Sequence, residues 1–210
     1  MKDNHLSSKL KNNLFYLWED FKWPLIAAAV VLFVAVYSLA AAFGKKETVI
    51  SVMLIDCHAD VSPEKMESDF LTFLDCDPGK QQAEFTTSLL FSDTDSGSYT
   101  MTSLSRFLAD IGSEKLDICG MREEDFIKYD NSETWMDLSH LLSADTLSAL
   151  EASLLRKDGR VIGIYADALP AMAEYGCYGD GSDRGVLGVI YNAPHRSAAA
   201  GYFDFALGDA

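Results

Sequence analysis

The segment VISVMLIDCHADVSP, residues 49–63, combines an apolar run with a polar end. Its β-branched and apolar residues run without interruption to Asp56, which is typical of a strand that is buried on both faces of a sheet. Two further polar residues, His58 and Asp60, follow in D-x-H-x-D spacing. The segment therefore predicts a buried strand over 47–56 that ends in a loop carrying three polar side chains.

Predicted helices and strands alternate from this segment to the end of the chain. Ser62 is a suitable helix N-cap and Pro63 a suitable first helical residue, so a helix over 62–76 follows the first strand. Further strands are predicted at 83–93, 115–121, 157–167 and 186–192. Helical patterns occupy 99–114, 123–129, the segments WMDLSHLLS and ADTLSALEASLLR that follow, and 195–208. This alternation indicates an α/β fold with a mainly parallel sheet flanked by helices.

Charge is distributed unevenly along the 210 residues. The chain carries a net charge of −15, and its first 46 residues hold six lysines against three acids, a net +3 that leaves −18 for residues 47–210. Nucleic-acid binding needs a basic surface for phosphate contacts. The acidic balance therefore argues against a nucleic-acid partner.

An apolar run near the N-terminus predicts a membrane anchor. Residues 24–43 contain no charged side chain, and twenty residues are enough to span a bilayer as a helix. Tyr16, Trp18 and Trp23 precede the run at the position of interfacial aromatics. The competing interpretation is a cleaved signal peptide with Ala40-Ala41-Ala42 at the cleavage site. The anchor is favoured because the run is longer than the usual apolar core of a signal peptide.

The anchor divides the chain into four predicted regions. Four lysines precede the run and two follow it, so the positive-inside rule places the N-terminus in the cytoplasm. Residues 1–23 are then a cytoplasmic segment, 24–43 a single transmembrane helix in the cell membrane, 44–48 a linker and 49–210 an extracellular α/β domain. The lipid bilayer is the predicted partner of residues 24–43.

Four cysteines occur in the predicted extracellular domain: Cys57, Cys76, Cys119 and Cys177. No two of them form a C-x-x-C pair, so a zinc ribbon has no support. In an oxidising exterior they could form two disulfides, with three possible pairings. Buried free thiols are also compatible with a domain of this size and are slightly favoured, and both alternatives stay open.

The order of motifs after residue 48 resembles the extracellular solute-binding proteins of ABC importers, especially the sugar-binding type. The resemblance lies in KLDICGM (115–121), WMDLSHLL (135–142), KDGRVIGIYAD (157–167) and the final segment GVLGVIYNAPHRSAAAGYFDFALG. That final segment looks like the return of the chain to the first lobe of such a protein. Only about twenty residues, 166–185, stand where the family has a second lobe. The resemblance implies a single lobe of a two-lobed clamp, whose ligand site would face the missing lobe.

The D-C-H-A-D segment also resembles the D-A-H-x-D segment of arginase-type metal hydrolases. Asp56, His58 and Asp60 would there be joined by acids of a later segment, for which FSDTDSGS (91–98) offers Asp93 and Asp95. The G-G-x-H segment of that family is absent from the sequence, and DTDSGS also fails the spacing of a calcium loop. A polar strand-to-helix loop is the favoured interpretation, and a metal-dependent hydrolase is the alternative.

A non-enzymatic binding module is the function that these patterns favour. The sequence contains no G-x-S-x-G motif, no S-x-x-K accompanied by its partner motifs and no P-loop, so no catalytic residue, metal or other cofactor is predicted. The predicted ligand or partner face consists of residues in strand-to-helix loops: Asp56, His58, Asp93, Met121 and Tyr165. We expect it to bind a small solute weakly or to contact another protein of the cell envelope.

Overall fold

The computed structural model of the protein describes residues 23–24, 26–37, 46–91, 97–130, 134–178 and 184–208. It divides into two units, residues 1–45 and 46–210. In the first unit, residues 26–37 are helical and most of their large apolar side chains are exposed. No helix among the described residues combines the length and the apolar character needed to cross a bilayer. Residues 38–43 of the predicted anchor lie outside the described residues, and the anchor stays a prediction.

The second unit contains six strands and six helices among its described residues. The strands are β1 (Glu47–Ile55), β2 (Gln81–Leu89), β3 (Ile118–Arg122), β4 (Leu154–Lys157), β5 (Arg160–Tyr165) and β6 (Gly185–Val189). The helices are α1 (Pro63–Phe73), α2 (Gly97–Gly112), α3 (Glu123–Lys128), α4 (Ala144–Ala149), α5 (Pro170–Glu174) and α6 (Arg196–Leu207). Short 3₁₀ turns lie at Leu138–His140, Glu151–Ser153 and Ala166–Ala168. The predicted α/β class is confirmed.

The six strands form one sheet in the order β2-β1-β3-β6-β5-β4. β1 is parallel to β2 and to β3, whereas the pairs β3–β6, β6–β5 and β5–β4 are antiparallel. The prediction of a mainly parallel sheet is therefore wrong, and the sheet is mixed. The physical reason is that β5 follows β4 through a tight hairpin turn, and β6 enters the sheet at the edge where β5 ends, so it runs antiparallel to both of its neighbours.

The continuous apolar run of β1 is explained by burial on both faces of the sheet. Ile50, Val52 and Leu54 pack into one core cluster, whereas Met53 and Ile55 pack into the cluster on the opposite face. All five side chains are at most 2% exposed. A strand covered on only one face would alternate apolar and polar residues instead.

Helix α1 begins as the sequence predicts. The Ser62 hydroxyl accepts a hydrogen bond from the Lys65 backbone N–H, and Pro63 occupies the first turn. Met66, Phe70 and Leu71 are buried against the sheet. The helix ends at Phe73, before the Asp75 residue with a φ of 52°.

The region between α3 and β5 departs from the predicted helices. Trp135 lies in an extended bridge opposite Ile190, and only a 3₁₀ turn, Leu138–His140, forms in the WMDLSHLLS segment. The end of the ADTLSALEASLLR segment, predicted as helix, forms strand β4. The Asp158-Gly159 turn has a positive φ at both residues, which suits a two-residue hairpin and pairs β4 with β5.

An aromatic stack covers two glycines of the sheet, Gly163 and Gly188. The rings of Phe126 and Trp135 are stacked at 3.9 Å with an interplanar angle of 8°. A Cβ atom added at Gly188 would lie 2.5 Å from the Phe126 ring and 2.8 Å from the Ile162 carbonyl oxygen. Glycine is therefore required at this position for the ring to approach the strand.

Asp117 is a fully buried carboxylate that joins three parts of the unit. Its Oδ1 accepts a hydrogen bond from the His195 backbone N–H at 2.7 Å. Its Oδ2 accepts one from the Ser51 backbone N–H at 2.8 Å and lies 2.9 Å from the His195 ring Nδ1. The Asp117 carbonyl also accepts from the Ile190 N–H at 2.9 Å. The residue thus holds β1, the end of β6 and the start of α6 together.

Candidate ligand-binding edge of the sheet

Four strands end at the same edge of the sheet. β1, β2 and β3 are parallel, and β5 runs in the same direction because β6 is antiparallel to both β3 and β5. β6 begins at this edge. We name it the carboxyl edge. Ligands of open α/β sheets bind beyond the carboxyl ends of the strands, so the side chains at this edge are candidates for ligand contact.

Asp56, the first residue after β1, contacts the ends of three strands. Its side chain is buried, and its Oδ1 accepts a hydrogen bond from the Phe91 N–H at 2.9 Å. Its backbone N–H donates to the Leu89 carbonyl at 2.9 Å. The Arg122 Nε lies 3.9 Å from Oδ2. These contacts give Asp56 a structural role in which it holds β1, β2 and the end of β3 in register.

A second polar cluster at the carboxyl edge is centred on Tyr165. The Arg184 guanidinium lies 3.5 Å from the centroid of the Tyr165 ring, a cation–π contact. The Tyr165 hydroxyl donates to the Glu123 carboxylate at 2.9 Å. Arg184 also donates to Asp167 through its Nε at 2.9 Å and through its Nη2 at 3.2 Å. We name these four residues, Glu123, Tyr165, Asp167 and Arg184, the edge cluster.

The edge cluster is ordered yet remains open to solvent. The side chains of Arg184 and Asp167 are 32% and 43% exposed. Burial of the phenol, together with its hydrogen bond to Glu123, raises the pKa of Tyr165. The ion pair with Asp167 raises the pKa of Arg184 further. At neutral pH the cluster therefore presents a neutral phenol, a guanidinium fork and two carboxylates, which are hydrogen-bonding groups for a polar ligand.

The structure places the residues of the predicted ligand or partner face in different environments. Tyr165 lies at the carboxyl edge, and His58 is exposed in the loop after β1. Met121 is 0% exposed and packs in the core, so it is no surface residue; the next residue, Arg122, takes the place at the edge. Asp93 lies outside the described residues.

Sequence reasoning did not select Arg184 or Glu123. Arg184 lies next to the end of the polar segment GDGSDRG (179–185), which has no periodicity. Glu123 opens the segment 123–129, which has a helical pattern. The sequence does carry one signal for both residues, which is their position. Each lies two residues from a predicted strand, at the edge of the sheet where Tyr165 also lies.

The described residues do not assemble the metal cluster that the alternative interpretation, a metal-dependent hydrolase, would need. Within that part of the chain, no group of three His, Cys, Asp or Glu side chains is placed to hold a metal ion. Asp56 is engaged with Phe91 and Arg122, whereas the Asp60 backbone bonds to the Tyr175 carbonyl. Asp95, like Asp93, falls outside the described residues.

A scan against protein-family models, a search of curated proteins and a search of solved structures each found no match to this chain.

Proposed function

We propose that the protein is a membrane-anchored extracellular module, related in design to one lobe of a solute-binding protein, that binds a small polar solute at the carboxyl edge. The observation that carries this proposal is the edge cluster. It combines an aromatic ring, a guanidinium group and two carboxylates at the strand ends, where α/β sheets bind ligands. Hydroxyl-rich solutes such as sugars suit this mixture of donors and acceptors.

The topology of β6 supports the same proposal. The chain leaves the sheet at the carboxyl edge after β5. A strand that enters the sheet again from the same edge must run antiparallel to β5. β6 does so, and it lies between β3 and β5. The residues between β5 and β6 are thus attached at the edge where a two-lobed relative would carry its second lobe. The predicted anchor at residues 24–43 would keep the module at the membrane.

Weak binding follows from the openness of the edge. A ligand held by one lobe stays partly in water, so fewer of its polar groups exchange solvent for protein. An envelope protein that covers the edge would supply the missing wall. The experiment below separates these two occupants.

The test is a thermal unfolding screen of the full chain in detergent micelles against sugars, amino acids, short peptides and divalent metal ions. A ligand that binds only the folded state at about 100 times its Kd stabilises by about 2.7 kcal/mol, which raises Tm by about 5–10 °C. We expect a rise with a sugar that disappears in Arg184→Ala. Arg156→Ala is the matched control, because Arg156 lies on β4 and forms an exposed ion pair with Glu151 in the preceding 3₁₀ turn.

Three outcomes would contradict the proposal. A rise that Arg184→Ala and Arg156→Ala retain equally would place the ligand elsewhere. A rise with manganese or zinc alone would favour the metal hydrolase. No rise with any small solute would leave an envelope protein as the occupant of the edge.

A further inference from the structure

Two segments that are distant in the sequence lie side by side next to the carboxyl edge. The Asp60 backbone N–H donates to the Tyr175 carbonyl at 2.8 Å. The Tyr178 hydroxyl donates to the Ile55 carbonyl at 2.9 Å. Gly176 packs so closely on Asp60 that an added Cβ would lie 2.5 Å from its Oδ2. The segments 55–60 and 175–178 are therefore fixed against each other at both ends.

Cys57 and Cys177 lie between these fixed points, one on each segment. The pairs Ile55–Tyr178 and Asp60–Tyr175 place residue 57 opposite residue 177, and both cysteines belong to one buried core cluster. Both residues are buried, with Cys57 6% and Cys177 1% exposed. Two cysteines at facing positions on segments that hydrogen bonds hold side by side are placed for a disulfide.

The other two cysteines have no such arrangement. Cys119 is fully buried, and its thiol contacts the Gly120 carbonyl at 3.8 Å. Cys76 is only half-buried and lies beyond the end of α1. Of the three pairings that the sequence allows, the structure thus favours the one that contains a Cys57–Cys177 bond.

We propose that Cys57 and Cys177 form a redox-active dithiol that closes to a disulfide and thereby joins the loop after β1 to the segment after α5. The oxidant is a disulfide, either of a thiol–disulfide oxidoreductase or of a small thiol such as glutathione. The linked segments carry His58 and lead to Arg184. Oxidation therefore adds a covalent bond to the hydrogen bonds that already hold together the loops bordering the carboxyl edge.

The chemistry assigns distinct roles to the two sulfurs. The hydrogen bond from Cys177 lowers the pKa of Cys57 against the opposing effect of burial, whereas the same bond and burial raise the pKa of Cys177. The Cys57 thiolate attacks the oxidant, forms a mixed disulfide and releases one thiolate of the oxidant. Cys177 then loses its proton, and its sulfur displaces the second thiolate. Two protein thiols lose two electrons and two protons, and the disulfide of the oxidant becomes two thiols.

The experiment maps the thiols of the full chain in detergent micelles. The protein is equilibrated in buffers of stepped reduced-to-oxidised glutathione ratio, quenched with acid, denatured, alkylated with iodoacetamide, digested and analysed by mass spectrometry. We expect a peptide pair joined through Cys57 and Cys177 that disappears on reduction. Cys76→Ser, the matched control, should retain the joined pair, and Cys57→Ser should abolish it.

Thermal unfolding gives a second readout. The bond would close a loop of about 120 residues, and a disulfide across a loop of that length raises Tm by about 10–20 °C. The rise should be absent from Cys57→Ser and present in Cys76→Ser. If Cys57→Ser does not fold, the peptide map of the unaltered chain still decides the question. Alkylation of both thiols at the most oxidising ratio, glutathione retained on Cys57, or a bond to Cys76 or Cys119 would each overturn the proposal.

Discussion

Asp117→Asn tests the role of the buried carboxylate that joins β1, β6 and α6. Both oxygens of the carboxylate are used: Oδ1 accepts from the His195 backbone N–H, and Oδ2 contacts the Ser51 N–H and the His195 ring. An asparagine amide has only one oxygen. If that oxygen replaces Oδ2, the amide NH₂ faces the His195 backbone N–H, and two donors then meet in a site that is 0% exposed.

The expected loss of stability follows from these contacts. A hydrogen bond to a charged group contributes about 1.5–3 kcal/mol, and a buried donor without an acceptor costs about 1–3 kcal/mol. In the variant the retained hydrogen bonds lose their charged acceptor, and two donors face each other. Together these changes should lower the free energy of unfolding by about 3–4 kcal/mol. For a unit of this size that corresponds to a fall in Tm of about 10 °C. His195→Ala removes only the ring contact and should cost about 1 kcal/mol.

Asp137→Asn is the matched control, because it removes the same charge from a different arrangement. Both backbone donors of Asp137, the N–H groups of Ser139 and Val161, bond to a single oxygen, Oδ1. An amide oxygen can keep both bonds, so the loss should be about 1 kcal/mol. The assay is urea unfolding of the full chain in micelles, followed by circular dichroism. Equal losses in the two asparagine variants would refute the reasoning from the number of oxygens used.

Two further predictions concern the sheet and its edge. Gly188→Ala should destabilise by about 2–3 kcal/mol, because its Cβ collides with the Phe126 ring and a neighbouring carbonyl, whereas Gly112→Ala, with open space around it, should not destabilise; thermal unfolding compares them. Tyr165→Phe should lower the free energy of unfolding by about 1 kcal/mol at pH 7, where the hydrogen bond to Glu123 is intact. Because the raised pKa of Tyr165 favours its protonated form in the folded state, its contribution is complete below pH of about 10 and is lost above it, so stability measured across pH 8–11 should fall less steeply in the variant. Identical alkaline profiles would contradict this assignment.

The sequence predicts β1 and α1 well because their signals are local. Burial on both faces requires the unbroken apolar run of β1, and Ser62 with Pro63 marks the start of α1. β4 is missed because LLRK continues an apolar spacing that also fits a helix, and its conformation is decided by pairing with β5. The direction of β6 is equally hidden, since GVLGV is apolar in either orientation and only its neighbours fix it.

The candidate site shows the same division between local and distant information. Tyr165 is predicted from its position at a strand end, whereas its ring partner Arg184 lies across a loop that carries no periodic pattern. Met121 is misplaced by one residue, because alternate side chains of β3 point to opposite faces and the first side chain at the edge belongs to Arg122. The placement of Cys57 opposite Cys177 joins positions separated by more than half of the chain and has no signature in residue spacing.

The position of β6 has a consequence for the emergence of the nascent chain from the ribosome. β6 lies in the middle of the sheet but is the last strand to be synthesised. Until Gly185–Val189 are available, β2-β1-β3 and β5-β4 are two incomplete sheets, each with an unpaired apolar edge. Such edges are prone to association with other chains. Most of the polypeptide must therefore be protected during synthesis before a single five-residue strand can join the two halves.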